Sequence, residues 1–218
     1  MIGERYGSRR FARRFDRLRR YQRARESIVA RVGAIRDVRG ARVVELGAGT
    51  GVVTEELARR ALSVTAFDRS LAMIAIARER NPPRCSFALA DHRDIPLADG
   101  CADLVLAAWS LDGVVYDGDE TSWRTALDRT VREMERLTAA GGAVVIVASP
   151  IGARDLAGHL ERAHGFRRRL FKTAWRFPSR RAARAAVTLF FGARVWRDYR
   201  PRWPRDLVTL AGLWWRTG

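Results

Sequence analysis

The stretch VVELGAGTG, Val43 to Gly51, constrains this chain more than any other. Two β-branched residues and a Leu flank Glu45, three glycines alternate at Gly47, Gly49 and Gly51, and TEELARR follows with helical character. The pattern predicts a strand, a tight turn and a helix start. Glycine can adopt φ > 0 and lets backbone N–H groups approach a ligand that a Cβ would hold away. Such a cradle belongs at the carboxyl edge of a parallel sheet, where open α/β folds bind ligands. A glycine-rich turn alone is a weak signal, so the residues around it decide.

A dinucleotide fingerprint wants Gly or Ala at the sixth position of G-x-G-x-x-G, and Val52 stands there instead. Glu45 lies inside the strand, two residues before the first glycine. Asp68 ends the next apolar run, VTAFD, where a carboxylate can take both hydroxyls of a ribose. Asp91 follows the run CSFALA, where an adenine amino group can be read. The three acids are spaced 23 residues apart in each step, one βα repeat each.

With these residues in view, the sequence resembles the class I S-adenosylmethionine-dependent methyltransferases, in particular the group that includes ubiquinone- and menaquinone-pathway enzymes. The resemblance runs from about Ala41 to Ser149, on VVELGAGTG, VTAFDRS, LADHRDIPLADGCADLVLA and RLTAAGGAVVIVAS. Ala102 replaces the usual Phe before Asp103, and Ala140 the Pro often found before Gly141-Gly142; neither touches cofactor contacts. The resemblance implies a Rossmann-like doubly wound α/β fold. Its seven-stranded sheet has the order 3-2-1-4-5-7-6, with strand seven antiparallel and helices at the N-terminus covering it. It implies S-adenosyl-L-methionine as cofactor and S-adenosyl-L-homocysteine as product. Gly47, Gly49 and Gly51 would surround the methionine moiety, Asp68 would hold the ribose, and Asp91 with the His92 backbone would read adenine. Glu45, Ala48, Arg69 and Trp109 complete the expected cofactor set.

A chain of 218 residues accommodates one such domain with a full core. The expected division is a helical cap at 1–39, a cofactor-binding core at 40–150 and the remainder of the sheet with a short inserted helix at 151–218. No apolar run approaches the roughly 18 to 20 residues that a bilayer requires, and no apolar segment follows the Arg-rich N-terminus, so a cytoplasmic location is expected. Cys85 and Cys101 lack metal-like spacing and read as buried or half-buried thiols; no metal site is expected. The net charge of +17 is uneven: +9 over residues 1–39, −4 over 40–151 and +12 over 152–218. Basic flanks around a mildly acidic centre predict weak association with polyanions or anionic lipid. All but one of the 41 basic residues are Arg, Lys172 being the exception. A GC-rich genome explains the choice of Arg over Lys but not the excess of base over acid.

Between Ser8 and about Val38, Phe11, Phe15, Leu18, Ile28, Val29, Val32 and Ile35 recur at helical spacing, predicting one or two amphipathic helices. Strands are predicted at Ala41–Leu46, Ser63–Phe67, Arg84–Leu89, Asp103–Ala108, 143–149, 165–177 and 206–216. Helices are predicted at Val52–Arg60, from Ser70 to about Arg80, Thr121–Leu137, about Arg154–Ala163, and 180–192, the last ended by Gly192. Near-continuous apolar strands between helices imply a parallel sheet buried on both faces.

After the fourth strand comes WSLDGVVYDGDE, which in the resembled fold faces the transferring methyl group. Trp109, Asp112 and Tyr116 are therefore the expected catalytic or acceptor-positioning residues, with Asp112 and Tyr116 the preferred base. His159 and His164, five apart on a helix, are not expected to share a face. Nucleobase-amine methylation commonly uses [DN]-P-P-[FY] where this chain has Ala108-Trp109-Ser110-Leu111. Lys-Asp-Lys-Glu ribose methylation needs two lysines, and neither cysteine sits in a Pro-Cys turn. The favoured reading is methylation of a small molecule at O, N or C. The alternative is an RNA- or anionic-membrane-binding protein, or an RNA methyltransferase, using the Arg-rich flanks.

Overall fold

The computed structural model describes residues 6–23, 26–80, 82–117, 122–150 and 155–218. The elements, in chain order, are α1 (Arg9–Arg19), β1 (Gln22–Arg23), α2 (Ile28–Gly33), β2 (Arg42–Leu46), α3 (Val52–Ala58), β3 (Ser63–Asp68), α4 (Leu71–Arg80) and β4 (Cys85–Leu89). There follow β5 (Ala102–Ala108), α5 (Leu111–Asp117), α6 (Ser122–Leu137), β6 (Thr138–Ala148), α7 (Leu156–His164), β7 (Arg167–Trp175), α8 (Arg180–Tyr199) and β8 (Leu207–Thr217).

The strands form one sheet in the order β1-β7-β8-β6-β5-β2-β3-β4. Apart from β1 this is the expected 3-2-1-4-5-7-6 sheet. Its last strand, β8, runs antiparallel to both β6 and β7. The central pairs β2–β3, β2–β5, β3–β4 and β5–β6 are parallel. Strand order reverses between β2 and β5, so the crevice of a doubly wound fold opens at their carboxyl ends, beside the glycine turn.

Alternate residues of the central strands feed two cores. Val44, Leu46, Val105, Ala107 and Ile146 pack with α6 and α7 on one face. Val43, Leu104, Leu106, Val145 and Val147 pack with α2 and α3 on the other. Burial on both faces explains why these strands read as unbroken apolar runs.

Three expectations need correction. The sheet has an eighth strand, β1, pairing Gln22 and Arg23 antiparallel with Trp175 and Ala174; two residues are too few to carry a periodic signal. Gly192 interrupts α8 with non-helical φ 89° and ψ 167°, but helix resumes beyond it to Tyr199. Finally, His159 and His164 do converge. Their Nε2 atoms lie 2.6 and 2.7 Å from one oxygen, Oδ1 of Asp128 on α6. The shared acceptor belongs to another helix, and it draws together two rings that helical periodicity sets about 140° apart.

The N-terminal helices cover the sheet's carboxyl side through specific links. Ser8 caps α1, and Phe11 and Phe15 pack with Tyr6 against Ala72, Met73 and Ile76 of α4. Arg80 bonds the Thr50 carbonyl at 2.6 Å, Glu55 at 3.1 Å, and Asp16 of α1. One side chain, 10% exposed, thus joins α1, α4 and the glycine turn. Arg80→Ala breaks both ion pairs and the bond to the glycine turn, but leaves Asp16 with Arg20 and Glu55 with Arg59, so we expect a loss of about 1–2 kcal/mol in urea unfolding. Proteolysis should then begin within α1. Unchanged stability and cleavage would contradict this role. No described helix is long and apolar enough to cross a membrane.

Candidate functional site

β2 ends at Leu46 and the chain turns through Gly47, Gly49 and Gly51, with φ of 75°, 56° and 78°. These left-handed conformations are why glycine is needed at all three. The amides of Gly47 and Ala48 donate to the Phe67 carbonyl at 2.7 and 2.9 Å, tying the turn to the end of β3. The glycines differ in what surrounds them. A Cβ on Gly47 would overlap Ser110 and lie 3.0 Å from His92 Nε2. A Cβ on Gly51 would meet Ala77 of α4 at 3.1 Å. A Cβ on Gly49 would meet nothing within 4 Å.

Asp68, at the end of β3, turns its carboxylate into this turn. Oδ2 accepts the Gly49 amide at 2.8 Å and Oδ1 accepts the Ser70 amide at 2.8 Å. Burial raises its pKa, and the two amides oppose that rise. Each oxygen keeps a second lone pair, enough for a vicinal diol. Open space over Gly49 beside this carboxylate leaves the approach to it free.

Glu45 is 1% exposed and accepts the Thr54 hydroxyl at 2.6 Å, joining β2 to α3 behind the turn. Burial pushes its pKa up to about 7, with the Thr54 bond opposing and Asp68 adding slightly. The folded state therefore holds a proton that the unfolded chain, near pH 4.5, has released. Stability should fall as pH rises through this window and level off above 7. Glu45→Gln removes that dependence. It should stabilise the protein at pH 8 by about 3 kcal/mol and match wild type at pH 4 in urea unfolding. Equal stability at pH 8 would refute the buried-acid account.

Asp91 lies beyond β4, its carboxylate held by Arg93 Nε and Nη2 at 2.6 Å each, which lowers its pKa to about 2. His92 is driven down to about 4, chiefly by burial, so its ring is neutral beside Gly47. Arg69 reaches across to α5, its Nη2 standing 3.8 Å from where Gly113 would carry a Cβ. Ala48 is buried within the turn.

Trp109, the residue after β5, takes φ 53°, a left-handed value unusual for a bulky side chain. Its amide donates to the Val147 carbonyl at 2.7 Å, which fixes the backbone there. Asp112 and Tyr116 lie on α5, but their side chains fall outside the described residues. Four neighbours went unnoticed in the sequence. Ser110 Oγ donates to the Leu46 carbonyl at 2.7 Å and braces the two strand ends at the switch point. Ser70 Oγ donates to the Tyr6 carbonyl at 2.7 Å. Arg80 clamps the turn as described, and Arg19 lies over Trp109. A lone serine or an arginine in an Arg-rich helix carries no motif that could have revealed these contacts.

A methyltransferase domain family matches residues 44–146. Demethylmenaquinone methyltransferase of Renibacterium salmoninarum is 33% identical over 125 residues, 57% of this chain and 47% of the relative. Magnesium-protoporphyrin O-methyltransferase of Rhodobacter capsulatus is 42% identical over 84 residues, 37% of this chain and 35% of the relative. The chain spans about half the length, or less, of these curated relatives. Among solved structures, the YcgJ protein of Bacillus subtilis superposes with a TM-score of 0.58 at 14% identity, covering 87% of this chain and 97% of its own, a likeness of fold alone. The matched segment runs from β2 through β6, the part that carries the glycine turn, Asp68 and the switch point. The matched segment, residues 44–146, is a methyltransferase domain of the class I S-adenosylmethionine-dependent type, whose cofactor is S-adenosylmethionine.

Proposed function

We propose that this chain transfers a methyl group from S-adenosylmethionine to a small-molecule acceptor at O, N or C. The observation that carries the reading is the Asp68 carboxylate turned onto Gly49, with open space above that glycine at the sheet's carboxyl rim. When bound, the cofactor supplies a methyl group on a positively charged sulfur, already activated for displacement. What the protein contributes is placement and exclusion of water. Asp68 takes the ribose hydroxyls, and Gly49 keeps the approach open. Asp91, sharing its carboxylate with Arg93, and the His92 backbone face the adenine. Trp109, Asp112 and Tyr116 stand on the acceptor side, where Asp112 or Tyr116 removes a proton if the acceptor must lose one. The relatives named above act on a demethylmenaquinone and on magnesium protoporphyrin, which supports a small-molecule acceptor here.

Calorimetry on the purified protein should show S-adenosylhomocysteine binding with a Kd in the micromolar range. An absence of binding would defeat the proposal.

A second reading rests on the exposed arginines. Arg167 and Arg169 on β7, with Arg180, Arg181 and Arg184 on α8, are exposed to solvent. They would associate with RNA or anionic membrane through phosphates. Binding to an RNA oligonucleotide or to anionic vesicles should weaken linearly in log salt, with a slope that reports the phosphates neutralised. No binding at 150 mM salt, or a flat salt response, removes this reading.

A further inference from the structure

Arg19 closes α1, and its guanidinium lies near two tryptophan rings. The Cζ atom lies 4.4 Å from the centroid of the Trp109 ring and 5.7 Å from that of Trp175. These tryptophans end β5 and β7, which point the same way because β7 is antiparallel to β8 and β8 is antiparallel to β6. Both rings therefore stand at the carboxyl rim of the sheet. They lie on the half beyond the switch point, away from Asp68 on β3.

Among the other arginines around α1, Arg9 and Arg13 pair with Glu79, Arg20 with Asp16, and Arg80 with Asp16 and Glu55, while Arg10, Arg14 and Arg17 are exposed to solvent. Arg19 makes neither hydrogen bond nor ion pair with any described residue; its contacts are the two indole faces. A cation over an aromatic ring gains about 0.5–2 kcal/mol, but the ring faces do not satisfy five N–H donors. Desolvation lowers the pKa of this group to about 10, which leaves it charged at neutral pH. A half-buried guanidinium without a counter-ion carries a desolvation cost that an incoming anion offsets. The strained backbone of Trp109, held by Val147, fixes one wall of this receptor, and backbone strain of this kind gathers at ligand sites.

We propose that Arg19, between Trp109 and Trp175, binds a carboxylate or phosphate carried by the methyl acceptor, so that the acceptor is an anionic compound. The assignment to the acceptor rests on the methyltransferase reading. The chemistry of the guanidinium is shared with one other source, the carboxylate of the donor's own amino-acid portion.

The test compares wild type, Arg19→Gln and Arg19→Lys, each with and without saturating S-adenosylhomocysteine. Near-UV circular dichroism and thermal unfolding confirm that each is folded. Tryptophan emission is titrated with benzoate, with phenyl phosphate, and with benzyl alcohol as the uncharged control. Wild type should bind at least one of the two anions at least tenfold more tightly than the alcohol. Arg19→Gln should lose that preference while Arg19→Lys keeps part of it, and S-adenosylhomocysteine affinity in Arg19→Gln should stay within twofold of wild type. Equal response to anions and alcohol in wild type, or an unchanged preference in Arg19→Gln, overturns the proposal. A fall in S-adenosylhomocysteine affinity in Arg19→Gln, with that for 5′-methylthioadenosine unchanged, also overturns it, because the guanidinium then serves the donor. If wild type binds anions through Arg19 but not S-adenosylhomocysteine, the anion receptor stands and the methyltransferase reading falls.

Discussion

Asp68→Ala is expected to weaken S-adenosylhomocysteine binding by about two to four orders of magnitude. A carboxylate accepting two hydroxyls makes two charge-assisted hydrogen bonds, each worth about 1.5–3 kcal/mol, and every 1.4 kcal/mol is tenfold in affinity. The fold should change much less. In the folded protein the Asp68 carboxylate is raised in pKa by burial, and the Gly49 and Ser70 amides only oppose that rise. Deleting it removes two hydrogen bonds and one buried charge, which act in opposite directions on stability. Asp68→Asn separates the two roles: its amide keeps the shape but offers one acceptor oxygen, and we expect an intermediate loss. Calorimetry beside thermal unfolding measures both quantities. An Asp68→Ala affinity within threefold of wild type, in a folded protein, would remove the ribose from this carboxylate.

The contrast between what was legible in the sequence and what was not follows from the range of the interactions. The spacing of Glu45, Asp68 and Asp91 reflects one βα unit per acid, so local pattern suffices to place each at the carboxyl end of a strand or within it. Pattern did not tell their environments apart. Glu45 is enclosed against Thr54, Asp68 faces the turn, and Asp91 is gripped by Arg93. Those differences depend on side chains that arrive from other parts of the fold or that have no fixed offset. Arg19 shows the limit most clearly. In sequence it is one of many arginines on a helix whose polar face reads as solvated, and only the common direction of β5 and β7 toward one rim gives it two tryptophans. The pairing of His159 and His164 on Asp128 fails on periodicity for a similar reason: the oxygen that both rings reach belongs to another helix.

The glycines of the turn offer a second large effect, because two that look equivalent in sequence should fail differently. At Gly47, alanine must hold φ near +75° and overlap Ser110, whose hydroxyl is moored to Leu46. The left-handed backbone costs about 1–2 kcal/mol and the overpacking about 1–3 more, so Gly47→Ala should lose about 3–4 kcal/mol in urea unfolding. At Gly49 the same methyl group meets no atom, so Gly49→Ala should lose only the backbone part, about 1–2 kcal/mol. Its methyl group would project into the space beside Asp68, and S-adenosylhomocysteine affinity should fall at least tenfold. Pairing Gly47→Ala with Ser110→Gly relieves the overlap but not the backbone strain, and should recover part of the lost stability. Equal stability losses at the two glycines, or no recovery in the double variant, would show that close approach to Ser110 is not what demands glycine at Gly47. Unchanged affinity in Gly49→Ala would place the ligand away from the turn altogether.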